Sequence, residues 1–216
     1  MDYKKYQIAK SVAISLAFIL LAASFMFNDV CKMSNNNNDK LIEMSDTIEK
    51  YSDKIDRLEN ENNRLKNALN LSVDTKITGS ITNNKSLNKF IDKKGLNKFI
   101  SAGELTAICS KYYVDPGFVL ATFSLETGYG KSDSWINDNN PGGITCGNSY
   151  CAYDNKLMGF DKLAKLLSVY SNGSDEFIGR KLTVNEVRNI WSETDDSQKI
   201  VNIWQEILLS EFEKGV

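Results

Sequence analysis

Residues 11–27 (SVAISLAFILLAASFMF) carry no charge, and this run constrains the chain more than any other feature. So apolar a stretch must leave water. At about 1.5 Å per residue, the run extended by Ile8 and Ala9, with Lys10 snorkelling, just spans a bilayer core of roughly 30 Å. Lys4, Lys5 and Lys10 precede it and Asp29 follows. The positive-inside rule therefore places a cytoplasmic tail at residues 1–10, a single-pass transmembrane helix over 11–28, and everything after Asn28 outside the cell membrane. The competing reading is a signal peptide cleaved near Ala22-Ala23-Ser24. A lipid anchor at Cys31 is disfavoured, because Asn28-Asp29-Val30 lacks the small residues such a site wants.

Residues 35–85 are rich in Asn and poor in aromatics, yet inside them Leu41, Met44, Ile48, Tyr51, Ile55, Leu58, Asn62, Leu65 and Leu69 recur at strict 3–4 spacing. This is a heptad seam with Asn62 at an a position. Lys54 to Glu59 and Glu61 to Lys66 fall on g and following e positions with opposite charge. A parallel homodimeric coiled-coil stalk is expected over 35–75; the alternative is a single solvated helix. The Ser, Thr, Asn and Gly content after Leu71 reads as a flexible linker over 76–86.

Residues 87–216 hold most of the aromatics and three of the four cysteines, and form the expected globular domain. Apolar periodicity predicts helices over 87–100, 102–112, 116–127, 156–170, 184–191 and 198–212. Between the third and fourth lies a Gly-, Asn- and Tyr-rich segment, 128–154, that suits loops and a small hairpin. The fold class expected is mainly α, helix-dominated α+β. Trp191 and Trp204, at helical spacing with Val187, Ile200, Ile203 and Ile207, read as core.

The chain has no histidine, which excludes Ser-His-Asp and Cys-His hydrolases and His-ligated zinc peptidases. A zinc site would then need nearly every cysteine of the domain, so no metal and no cofactor are expected. A net charge of -2 argues against nucleic acid as a partner. Asp115-Pro116 is a helix start, and the helix it opens (GFVLATFSL) is apolar nearly all round. Glu126 closes that helix, just before Gly128. A carboxyl at the edge of a core is a candidate general acid, since burial favours its protonated form; the alternative is a Glu turned to solvent at a frayed end.

Glu126-Thr127-Gly128-Tyr129-Gly130-Lys131-Ser132 resembles the Glu-Ser-Gly-Trp-Gly-Lys-Ser signature of the bacterial glucosaminidases of the flagellar muramidase and autolysin type, glycoside hydrolase family 73. Asn140 to Ile144 (NPGGI), including Gly143, lies where that family has Asn-Leu-Phe-Gly-Ile. Ala152-Tyr153-Asp154 resembles its Arg-Ala-Tyr-Asp stretch, and the helix from Lys156 its next helix. The resemblance covers about 50 residues, in order. It implies a lysozyme-like catalytic domain acting on peptidoglycan, with Glu126 as general acid, Tyr153 at the cleavage site, and Asn140, Gly143 and Ile144 lining the substrate groove.

The sequence departs from the family at the second carboxylate, for which Asp133, Asp138 and Asp154 compete; Asp138 is the choice here. Hydrolysis and lytic transglycosylation both stay open. Tyr129, Trp135 and Tyr150 are positioned to stack on sugar rings or, equally, to cover a small core. Cys146 and Cys151 flank a four-residue segment and suit a hairpin disulfide in an exported protein. Cys109 reads as a buried small hydrophobe. The expected protein is a membrane-anchored glycan-strand hydrolase facing the cell wall; the rival is a non-catalytic wall-binding scaffold.

Overall fold

The computed structural model describes residues 20–21, 23–24, 26, 38–171, 182–192 and 196–213. Most of the expected membrane span, and Cys31, lie outside these. Among the described residues no helix is long and apolar enough to cross a membrane. The chain divides into two compact units, residues 1–69 and 70–216, and the protein is mainly helical.

The first unit is dominated by one long helix, α1 (Asn38–Asn70), which carries the whole 3–4 seam. At about 1.5 Å per residue it measures roughly 50 Å. Leu41 and Ile48 of the seam are exposed on the single chain.

In the second unit, helices α2 (Asn84–Lys93), α3 (Ala102–Tyr112), α4 (Pro116–Thr127), α6 (Lys156–Ser171), α7 (Val184–Trp191) and α8 (Ser197–Leu209) build the core. The short α5 (Asp133–Asp138) and a hairpin of β1 (Thr145–Cys146) and β2 (Ser149–Tyr150) interrupt them, and a 3-10 turn, Ser210–Phe212, follows α8. The hairpin is antiparallel, pairing Thr145 with Tyr150 and Cys146 with Ser149. Helix α2 ends earlier than its apolar pattern predicts. Gly95, with φ of 65°, turns the chain out of the helix, and Leu96 and Ile100 reach the core from a turn instead.

Helix α4 is the centre of the unit, buried from Pro116 through Ser124 and packed against α8, α3 and α6. Its apolar surface all round has this cause: no face of it meets water. Asp115 caps it, accepting from the Gly117 and Phe118 amides, and Gly128 ends it in the left-handed region. Gly117 must be glycine, because a Cβ there would collide with Thr82 Oγ1 and sit 2.8 Å from Trp204 Nε1.

The flexible linker expected over 76–86 is corrected. Lys76 bridges to Thr183 and Thr78 to Val114. The amides of Val184 and Asn185 donate to Thr75 O and Val73 O, and Ile77 is fully buried. The Thr- and Ser-rich composition that suggests a spacer is equally that of an extended segment with buried β-branched residues, and its partners lie far away in sequence.

Candidate functional site

Glu126 is the penultimate residue of α4, where the helix leaves the core, and its side chain keeps 22% of its exposure. Its Oε1 accepts from Arg188 Nη1 at 2.6 Å. Arg188, on α7, is 2% exposed. Its Nε and Nη2 donate to both oxygens of Asp196, at 2.7 and 2.8 Å. One buried guanidinium thus joins two carboxylates, and Glu126 Oε2 has no hydrogen-bond partner among the described residues.

The second part of the site is the segment from Asp138 to Tyr153. The Tyr153 amide donates to Asp138 O at 2.8 Å, and Asn139 Nδ2 donates to Tyr153 O at 2.7 Å. Burial pushes the Tyr153 phenol up from its ordinary value, so at neutral pH it is a hydroxyl donor. Asp138 is half-buried. Cys146 and Cys151 are joined by a disulfide at the base of the hairpin. Tyr150, 64% exposed, lies beside Gly143, which is itself exposed.

Asn140 is corrected from groove lining to loop core. It is fully buried; its Nδ2 donates to Ile144 O and Cys151 O, and its Oδ1 accepts from the Gly142 and Ile144 amides. No polar atom of its side chain is left for a sugar. Ile144, half-buried, is held through its own N–H and C=O by that amide.

Trp135 is likewise corrected. It has no exposed surface and packs edge-on to Phe99, Phe123 and Phe160, with ring centroids 5.5, 4.8 and 5.4 Å away. The Lys156 ammonium sits 4.2 Å over its ring and donates to its carbonyl. Desolvation lowers the Lys156 pKa. The Tyr129 ring lies against Phe90, with the Lys94 ammonium 4.9 Å over it, so it serves packing against α2 and one face is taken. Asp133 lies inside α5, whose cap is Ser132.

Helix α7 touches both parts of the site. Arg188 holds Glu126, and one turn later Trp191 packs on Gly142, where a Cβ would sit 2.8 Å from Cζ2. Trp191 is half-buried at this loop, whereas Trp204 is core. Sequence reasoning missed Arg188 and Asp196. The signal available was an Arg inside the apolar stripe of Val184, Val187 and Trp191. The chain matches no protein-family model and no curated protein.

Proposed function

We propose that the protein is a membrane-anchored peptidoglycan hydrolase that cuts the glycan strand, of endo-N-acetylglucosaminidase type, with a lysozyme-like catalytic domain. The single observation that carries the reading is Glu126. A carboxyl at the rim of a buried helix, held through one oxygen and open at the other, is arranged to protonate a leaving glycosidic oxygen. The Tyr153 amide donates to Asp138 O, which ties these two candidate residues to one another, and exposed Tyr150 offers a ring for a sugar face. The resemblance to the glucosaminidases rests on Glu126 to Ser132, Asn140 to Ile144 and Ala152 to Asp154, with the helix from Lys156.

The apolar run at 11–27 supports an anchor with the N-terminus in the cytoplasm, and the exposed Leu41 and Ile48 on α1 support a homodimeric coiled-coil stalk. Such an anchor would confine cutting to wall within reach of the membrane, for remodelling or local opening.

The test is digestion of purified Gram-positive peptidoglycan by the full-length chain and by Glu126→Gln, followed by borohydride reduction and mass spectrometry of released fragments. Products reduced at N-acetylglucosamine identify a glucosaminidase; products reduced at N-acetylmuramic acid, or carrying anhydro ends, identify a muramidase or a lytic transglycosylase. Glu126→Gln keeps an acceptor for Arg188, so the fold should persist while turnover falls about 10²–10⁴-fold. One observation favours a second reading, a wall-binding scaffold: Glu126 is also a counter-ion for a buried arginine. In that case the wild type releases nothing and Glu126→Gln binds wall as well as the wild type.

A further inference from the structure

Resting on the glycosidase reading, we infer that the Arg188–Asp196 pair is a positioning device that fixes the Glu126 carboxyl so that Oε2 alone faces the substrate. The argument begins with two residues placed against local energetics. Asp196 occupies the N-cap position of α8, yet its carboxylate makes no cap hydrogen bond. The stabilisation that an Asp cap gives a helix is thereby forgone. Glu126 sits at the C-terminal end of α4, where the helix dipole disfavours a carboxylate. Both side chains converge on one guanidinium.

Arg188 is itself misplaced by ordinary rules, because an arginine on a helix extends its head to water. Here the head is buried, and a buried guanidinium is tolerated only where its donors are met. Asp196 meets two of them with a parallel fork, which sets the plane of the group as a single contact would not. With the plane set, the direction of Nη1 is set, and with it the position of Glu126 Oε1. Trp191, seated on Gly142, braces the same helix against the loop that follows α5, the helix that ends at Asp138. Asp196 is held by both oxygens and 13% exposed, so it orients rather than takes a proton itself.

Misplacing a catalytic group by about 1 Å costs on the order of 10²-fold in rate. The full-length chain and its Asp196→Asn and Arg188→Lys variants are therefore compared on soluble peptidoglycan fragments for kcat, KM and melting temperature. Asp196→Asn loses the fork's second acceptor, and should lower kcat about 10–100-fold with KM within about threefold. Arg188→Lys keeps the charge but has no fork, and should lower kcat as well. If Arg188→Lys does not fold, Asp196→Asn alone carries the test.

Wild-type kcat in folded Asp196→Asn overturns the positioning role, as does a loss confined to KM or one matching the unfolded fraction. Should Glu126→Gln be inactive while Asp196→Asn is fully active, the hydrolase reading stands and only the positioning role falls. A wild type that releases nothing, or an active Glu126→Gln, removes both.

Discussion

Thr82 donates its hydroxyl to Asp115 Oδ1 at 2.6 Å while accepting the Trp204 indole N–H at 3.0 Å. The amides of Ile81 and Thr82 add two more donors to Asp115 Oδ2. The segment entering the second unit is thereby fastened to the first residue before α4 and to α8.

A chain cut to begin at residue 86 should consequently fail to fold stably. It leaves Asp115 buried with three of its five donors gone and opens the space filled by Ile77. Losing Ile77 alone costs about 2–5 kcal/mol by analogy with truncation to Ala. A chain beginning at residue 70 keeps all of these. Circular dichroism melts of the two check this, and equal midpoints would contradict it.

Trp135 and Tyr150, both aromatic and both in the 128–154 segment, should behave oppositely. Trp135→Ala should destabilise the fold by about 3–5 kcal/mol, because it empties a site enclosed by three other rings. Tyr150→Ala should leave the unfolding free energy in urea within about 0.5 kcal/mol of wild type and weaken binding to glycan fragments. A stable Trp135→Ala with lost binding would place that ring in the groove after all.

Asn140 and the disulfide hold one loop, so both should be detected there. Asn140→Ala leaves the Gly142 and Ile144 amides and two carbonyls without their side-chain partner, at a cost of about 1–3 kcal/mol per buried group left unpaired. Replacing Cys146 and Cys151 with Ser should cost up to about 2 kcal/mol for so short a closed loop. Hydrogen exchange in residues 141–153 should rise in both variants, with helix α4 unchanged. Protection that stays at wild-type levels in both would refute this.

Acid should weaken the second unit through its paired glutamates. Burial pushes the Glu206 carboxyl up, but Lys94 and Lys93 outweigh it and hold the pKa below the ordinary value. Glu104 is lowered by the Ser101 hydroxyl and amide in the capping box of α3. A depressed folded pKa contributes stability that is present above about 4.5 and lost as pH falls through the folded value. Urea midpoints should fall between pH 6 and pH 3, and Glu206→Gln should flatten part of that slope. An unchanged slope in the variant would assign the acid lability elsewhere.

Helix α4 was legible in the sequence because its information is local: Asp115-Pro116 opens it, Gly128 closes it, and an unbroken apolar run says it is central. Helices α3, α6, α7 and α8 follow from periodicity for the same reason. What was not legible depends on partners far along the chain. Nothing near Ile77 announces that Thr183 and Val114 will pair with its neighbours. Trp135 satisfies the pattern of a sugar platform and of a core residue alike, and only Phe99 and Phe160, from other elements, decide. Asn140 carries groove-lining chemistry but spends it on its own loop. Arg188 broke the apolar stripe of α7, and its meaning needed Glu126, 62 residues earlier.

The fastening of residues 71–83 has a mechanical side. Tension on the chain ahead of residue 71 reaches the Val73 and Thr75 carbonyls bonded to the start of α7, and then Thr82, which grips the cap of α4. Such a pull therefore loads α8, bonded to Leu71 and Thr82, together with the helices bearing Glu126 and Arg188, and the proposed site lies in series with whatever holds the chain upstream.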